Sequence, residues 1–339
     1  MTIRKYFRRG DLILPEYLRD PDRVIQLPPL KASIGGFFRV WLNRGKSGTL
    51  KYDTGWFPNL ITDFGMDTYG NAAGLSNGNG GAGLGYCCVG TGTSAPSFAD
   101  TALIAPLAVK GFSISTVPSY VAGPPAYSFQ SMYWAFPLGG VIGNISEICA
   151  GPLSSVSGTT LSRARAFSRQ LILDASGNPN TISVTASDQL NTSYQLRLYF
   201  DLTDSTDSIV ISGNTYGGIK RRAKTSSFGV GGIMDTQPPP SSWGGTQASL
   251  YTGGLGPTSS NPGGSVLSTS TFTHGPYTPG TFTKAITNAH WPTTNLGTVM
   301  SLFVGCTCLG FWQIQMLPGF PKTGSNTLDL SWSIAWARY

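Results

Sequence analysis

The sequence predicts an all-β protein: an antiparallel, jelly-roll-like sandwich with an extended N-terminal arm at 1–35 and long loop insertions in a body at 36–339. Three observations lead there. Several segments alternate apolar and polar residues with period two, the mark of a half-buried antiparallel strand. Gly (44) and Pro (23) abound while charged residues make up 12%, about half the usual fraction, as in chains of short strands joined by turns. Finally, the charge is segregated. The first 51 residues hold 11 of the 23 Lys and Arg against Asp11, Glu16, Asp20 and Asp22, whereas the remaining 288 carry 12 basic and 12 acidic groups. Such a basic, proline-spaced leader on a neutral body bears on partners rather than on fold.

Residues 1–30 interleave basic, aromatic and aliphatic residues with Pro15, Pro21, Pro28 and Pro29. Proline fixes φ and removes a donor, so this stretch reads as an arm that orders only against a partner. A hairpin follows over 36–57. Phe38, Val40 and Leu42 share one face, the turn lies at 43–48, and Leu50 and Tyr52 resume the pattern. Thr62 is placed to cap a short helix over DFGMDTY that Gly70 ends. Further on, TISVTA aligns Ile182 and Val184, and YQLRLYFDL aligns Leu196, Leu198 and Phe200. DASGNPN at 174–180 reads as the loop between strands. At the C-terminus Leu328, Leu330, Trp332, Ile334 and Trp336 alternate with small or polar residues, a strand expected to lie beside the 194–202 strand.

Between them, residues 236–283 contain no Lys, Arg, Asp or Glu. Gly, Ser, Thr and Pro surround Trp243, Tyr251, Phe272, Tyr277 and Phe282. The aromatics and the runs SVLST and TFTKAIT argue for an elaborated insertion, at about 213–300, rather than a linker. MSLFVGCTCLGFWQIQML reads as the single strand that closes it.

Enzymatic motifs fail on context. Gly78, Gly80 and Gly83 satisfy a dinucleotide-binding spacing, but a glycine–asparagine loop precedes them and a strand follows, leaving no helix N-terminus for a phosphate. Gly45-Lys46-Ser47 lacks the upstream glycine of a P-loop. His274 and His290, the only histidines, have no Ser or Cys elbow near them. Asp201, Asp204 and Asp207 read as a solvated turn rather than a calcium loop. Cys87, Cys88, Cys149, Cys306 and Cys308 form neither a disulfide framework nor a zinc spacing, and read as buried thiols. No metal or cofactor is expected.

Two basic clusters stand out. Arg4, Lys5, Arg8 and Arg9 interleave with Tyr6 and Phe7; Lys220, Arg221, Arg222 and Lys224 form the other. Both are small for nucleic acid, and the prolines of the first favour docking to an acidic protein groove.

The runs TGWFPNLITDFGMDTYG, YCCVGTGTSAPSFADTALIAPL, IGNISEICAG, LSRARAFSRQLILDASGNPNTISVTASDQLNTSYQLRLYF and LDLSWSIAWARY resemble tail-associated virion proteins of tailed bacteriophages, of the tail-fibre or minor-tail type. The likeness covers about 54–110, 141–203 and 327–339. It carries over no enzymatic residues and implies a virion component, assembled in a host bacterial cytoplasm with other virion proteins as partners; the basic arm lies outside the likeness. No apolar run reaches the length of about 20 residues that crosses a bilayer, so no membrane insertion is expected, and the uncharged body suits a homotrimer. The arm (Arg4, Lys5, Tyr6, Phe7, Arg8, Arg9) is then the anchor. An alternative is a receptor-binding module for a host surface glycan, touched by Trp243, Tyr251 and Tyr277, because Tyr, Trp, Ser and Gly in such a stretch suit a contact surface. A glycan depolymerase and a capsid decoration protein are further alternatives.

Overall fold

The computed structural model describes residues 6–9, 12–15, 23–45, 48–70, 84–111, 113–116, 119–154, 163–211, 214–225, 247–270, 272–306 and 309–339. Strands account for 59% of the chain and helix for almost none, so the protein is all-β.

Its axis is one long antiparallel pair. The Leu30–Arg44 strand runs against the central Asp188–Phe200 strand, from Ser33↔Tyr199 to Arg44↔Asp188. Arg23–Gln26 prolongs the pairing against Ser205–Ile211. Along Leu30–Arg44 burial alternates almost without a break, with Ile34, Phe38, Val40 and Leu42 inward. Period-two chemistry therefore fixes the register, since a one-residue slip would turn every one of these side chains outward. Each buried Leu, Ile or Phe contributes about 1.5–3 kcal/mol.

Beyond the central strand lies Ala126–Ala135. On the other side of Leu30–Arg44 lies the C-terminal strand Leu328–Arg338, followed by Thr283–Trp291. The terminal strand is thus stitched into the sheet, but one strand further from 194–202 than its pattern suggested. It also pairs in parallel with both Arg23–Gln26 and Leu30–Arg44, so the large sheet is mixed. Alternation marks a strand as half-buried; it carries no information on which neighbour the strand finds.

The second wing runs from Ser205–Ile211 through Asn214–Ala223, Gly310–Lys322, Gly297–Cys306 and Gln247–Tyr251 to Val266–Ser270. About half of the insertion's described residues are therefore ordinary sheet. The closing run is two paired strands, not one, with Gly305 and Gly310 at φ 149° and 101° where the chain reverses.

A separate five-stranded sheet, in the order Leu60–Ile61, Ser168–Leu171, Glu147–Gly151, Tyr86–Gly90 and Pro106–Gly111, packs on the inner face of the large one. Phe167 meets Tyr194 edge-on at 6.4 Å, Thr192 Oγ1 lies 3.3 Å from Cys87 Sγ, and Trp134 Nε1 donates to Gly85 O. The two faces share one apolar core. Gly36 is needed at this contact: a Cβ there would overlap the Tyr194 hydroxyl.

Several local expectations hold. The helix spans Asp63–Gly70, and Thr62 Oγ1 accepts from Gly65 N at 3.0 Å, the expected cap. In the 174–180 loop, Asp174 Oδ1 accepts from Ser176 N and Asn178 N. Cys87, Cys88 and Cys149 are buried. The arm needs correction. Ile25 and Leu30 are fully buried and Arg23–Gln26 lies within the large sheet, because an apolar VIQL–L run is worth more in the core than in solvent. The body therefore starts near residue 23 instead of 36. Ahead of it, Tyr6–Arg9 and Leu12–Pro15 form a two-stranded sheet of their own.

Candidate functional site

Of the residues expected to touch partners, Arg4, Lys5 and Trp243 lie outside the described residues. Tyr6, Phe7, Arg8 and Arg9 form one strand of the leader hairpin, opposite Pro15, Leu14, Ile13 and Leu12. Tyr251 is no surface contact. It is 4% exposed and sits in the core of the second wing, because its strand is central, flanked by Gly297–Cys306 and Val266–Ser270. Tyr277 is half-buried: its ring stacks on Trp336 at 5.6 Å and its hydroxyl donates to Asp67 Oδ1 at 2.5 Å. Burial and that carboxylate both push the phenol's pKa up. The structure thus leaves neither Tyr251 nor Tyr277 as an open contact ring.

The second basic cluster is likewise spent within the fold. Lys220 pairs with Asp207 at 2.7 Å and Arg221 pairs with Asp204 at 2.6 Å. Buried Arg222 donates to Leu309 O and Lys31 O and lies 4.0 Å over Trp312. Lys224 sits 5.0 Å over Phe303. Each cation thus has partners of its own within the fold, although Lys220, Arg221 and Arg222 line one cavity of about 490 Å³ with Lys31, Asp201 and Asp207.

Buried charges also stand at the Glu147–Arg169 pair and at Lys322. Glu147, fully buried, accepts from Gly92 N, Ile104 N and Ala105 N and from Arg169 at 2.9 Å. Arg169, also buried, continues to Asp100 and to the carbonyls of Ser94 and Ala95. Lys322 Nζ donates to the carbonyls of Pro292, Thr294, Thr323 and Asn326 at 2.6–3.0 Å. Each group is engaged with the backbone of a loop, and Arg169 also with the carboxylates of Glu147 and Asp100. They pin loops to sheets. Among the described residues no three His, Cys, Asp or Glu side chains gather as a metal site, and no helix is long and apolar enough to cross a membrane.

The surface carries a different arrangement. On the outer face of Leu30–Arg44, Asp188–Phe200 and Ala126–Ala135, Trp41 stacks on Tyr133 at 5.4 Å. Arg39 lies 5.3 Å over Trp41 and is paired with Asp53, whose pKa that hydrogen bond lowers. Arg197 is held between Phe37 (3.6 Å) and Tyr127 (4.6 Å), and Tyr127 touches Tyr199. Tyr199 in turn stacks on the C-terminal Tyr339 at 3.6 Å and 10°. The row ends at a cleft of about 340 Å³ lined by Asn59, Gln170, Phe98, Arg338 and Tyr339, with Ile34 and Ile61 among its apolar wall. Arg338 lies 4.1 Å over Phe98, donates to Ile61 O and pairs with Asp63.

Phe98 is 50% and Tyr339 68% exposed. Sequence reading missed this cleft because its residues come from five distant segments. The one available signal was Arg338 and Tyr339, two bulky side chains beyond the alternating run that Trp336 closes.

No family model, curated protein or solved structure matches the chain.

Proposed function

We propose that the chain is a structural component of a bacteriophage virion, in the tail or adsorption apparatus, anchored to other virion proteins by its leader and packed as a homotrimer. The observation that carries this reading is the division between leader and body. Residues 1–22 interleave five cations and four acids with aromatics and prolines, and their two strands pair with each other rather than with the body's sheets, whereas the six cations at 23–51 belong to the body. Beyond residue 51 the body balances 12 basic against 12 acidic groups and is poor in charge, which limits the desolvation cost of burying ions at subunit contacts and suits permanent assembly. Within this reading the sandwich is a jelly-roll-like variant with a parallel strand pair at its centre, and the protein is assembled in the host cytoplasm.

Deleting residues 1–22 tests the anchor, since the sheet begins at Arg23. The expected result is a folded body missing from purified particles; normal incorporation refutes the anchor. The mass of the purified chain in solution tests the trimer.

A second reading, a receptor-contact role, is favoured by one observation: the braced, half-exposed rings of Phe98 and Tyr339 beside the aromatic row.

A further inference from the structure

We infer that the cleft between Phe98 and Tyr339 binds an uncharged pyranose unit of a glycan. This deepens the receptor-contact reading and rests on it.

The decisive feature is which ring faces remain open. In the middle of the aromatic row the faces are used up: Trp41 is covered by Tyr133 and Arg39, and Arg197 fills the space between Phe37 and Tyr127. At the cleft each ring has one face braced and half or more of its surface exposed. Tyr199 backs Tyr339, and the Arg338 guanidinium backs Phe98. A ring fixed on one side and open on the other is a stacking platform whose ordering cost has already been met. A pyranose offers a flat face of C–H groups to such a ring.

Asn59 and Gln170 line the cleft but turn their carboxamides to the protein: Gln170 is engaged with Pro58 O and Leu171 N, and the Asn59 amide is buried beside Gly36 and the Tyr194 hydroxyl. Recognition therefore rests on the two ring faces. Charge argues against an anionic ligand. The cation in the cleft, Arg338, is neutralised by Asp63, so a nucleotide's phosphates would find no uncompensated partner there. The volume of about 340 Å³ holds one or two sugar units.

Saturation-transfer NMR on the full-length protein provides the test, with chitotetraose and maltotetraose as probes and an oligouridylate as the charged control. Alongside it, adsorption of the purified protein to bacteria on which the virion forms plaques is measured. The inference expects saturation of sugar C–H protons, and affinity falling about tenfold in Tyr339→Ala and again in Phe98→Ala, the size of one lost ring contact each. Trp56→Ala, an exposed aromatic outside the cleft, should bind as the parent does. Both cleft side chains are exposed, so the variants should keep the parent's melting temperature. If neither sugar binds while adsorption still depends on Tyr339, the ligand class is overturned and the receptor-contact reading stands. Sugar binding unaffected by both substitutions, or preference for the oligouridylate, overturns the site. Loss of both sugar binding and adsorption from the parent protein overturns both.

Discussion

The loops above the five-stranded sheet and the loops at the end of the second wing are held by buried charges of opposite sign. In the first, a carboxylate, Glu147, collects three backbone N–H groups of the 91–105 segment and is balanced by Arg169. In the second, an ammonium, Lys322, collects four carbonyls from 292–326. The difference follows from which half of the peptide unit each loop turns inward. Irregular backbone that leaves the surface must satisfy its donors or acceptors somewhere. One well-placed ion does so more strongly than several neutral side chains, because charge-assisted hydrogen bonds are about twice as strong.

That contrast can be broken from either side. Glu147→Ala should have the largest effect, roughly 3–5 kcal/mol of lost stability, since it leaves Arg169 with only part of its counter-charge and frees three amides. Urea denaturation gives the number, and hydrogen exchange should show protection lost first at 91–105. Lys322→Met should cost about 2–3 kcal/mol by leaving buried carbonyls unpaired, with loosening confined to 292–296 and 323–326. Were either substitution neutral, the loop would be held by packing alone.

Acid sharpens the comparison. Asp188 is buried where burial by itself would raise its pKa, yet hydrogen bonds from Lys51 and Thr185 prevail and hold it at about 2. A depressed carboxylate pKa contributes stability that is complete above the ordinary value near 4 and is lost as pH falls from there toward 2. The melting temperature should therefore decline over that window, and Asp188→Asn should flatten the decline while lowering stability at neutral pH. Tyr277→Phe, which removes the hydrogen bond to Asp67, should cost about 1 kcal/mol. At the small end, Tyr339→Ala should change stability by less than about 0.5 kcal/mol, separating a surface kept for contact from one kept for folding.

Much of the local structure was legible. Alternation placed strands at 38–42, 194–202 and 328–336, within or overlapping the longer Leu30–Arg44, Asp188–Phe200 and Leu328–Arg338, and Thr62 followed by a short polar–apolar run announced a capped helix. The pinning ions were harder to see. Glu147 stands among Ile145, Ile148 and Cys149, and a lone acid in an apolar run of a charge-poor chain is a usable hint of a buried pair. Nothing in the sequence linked it to Arg169, which lies opposite Cys149 on the neighbouring strand. The aromatics between 236 and 283 suggested contact because they stand among small polar residues. Tyr251 instead went inward, since a strand paired on both sides buries whatever it carries on its core face.

Sequence alone determined where the chain could extend, turn and cap, because those choices depend on side chains within a few residues of one another. It also determined that the net charge lies within the first 51 residues, though not that six of those cations, at 23–51, belong to the folded body. Only the tertiary structure decided that the terminal strand lies parallel to the first long one, that adjacent cations go to separate partners, and that Phe98, Asn59 and Tyr339 share a cleft. These depend on which distant strands meet, and many pairings bury the same apolar faces; the winning one is selected by packing summed over the whole core.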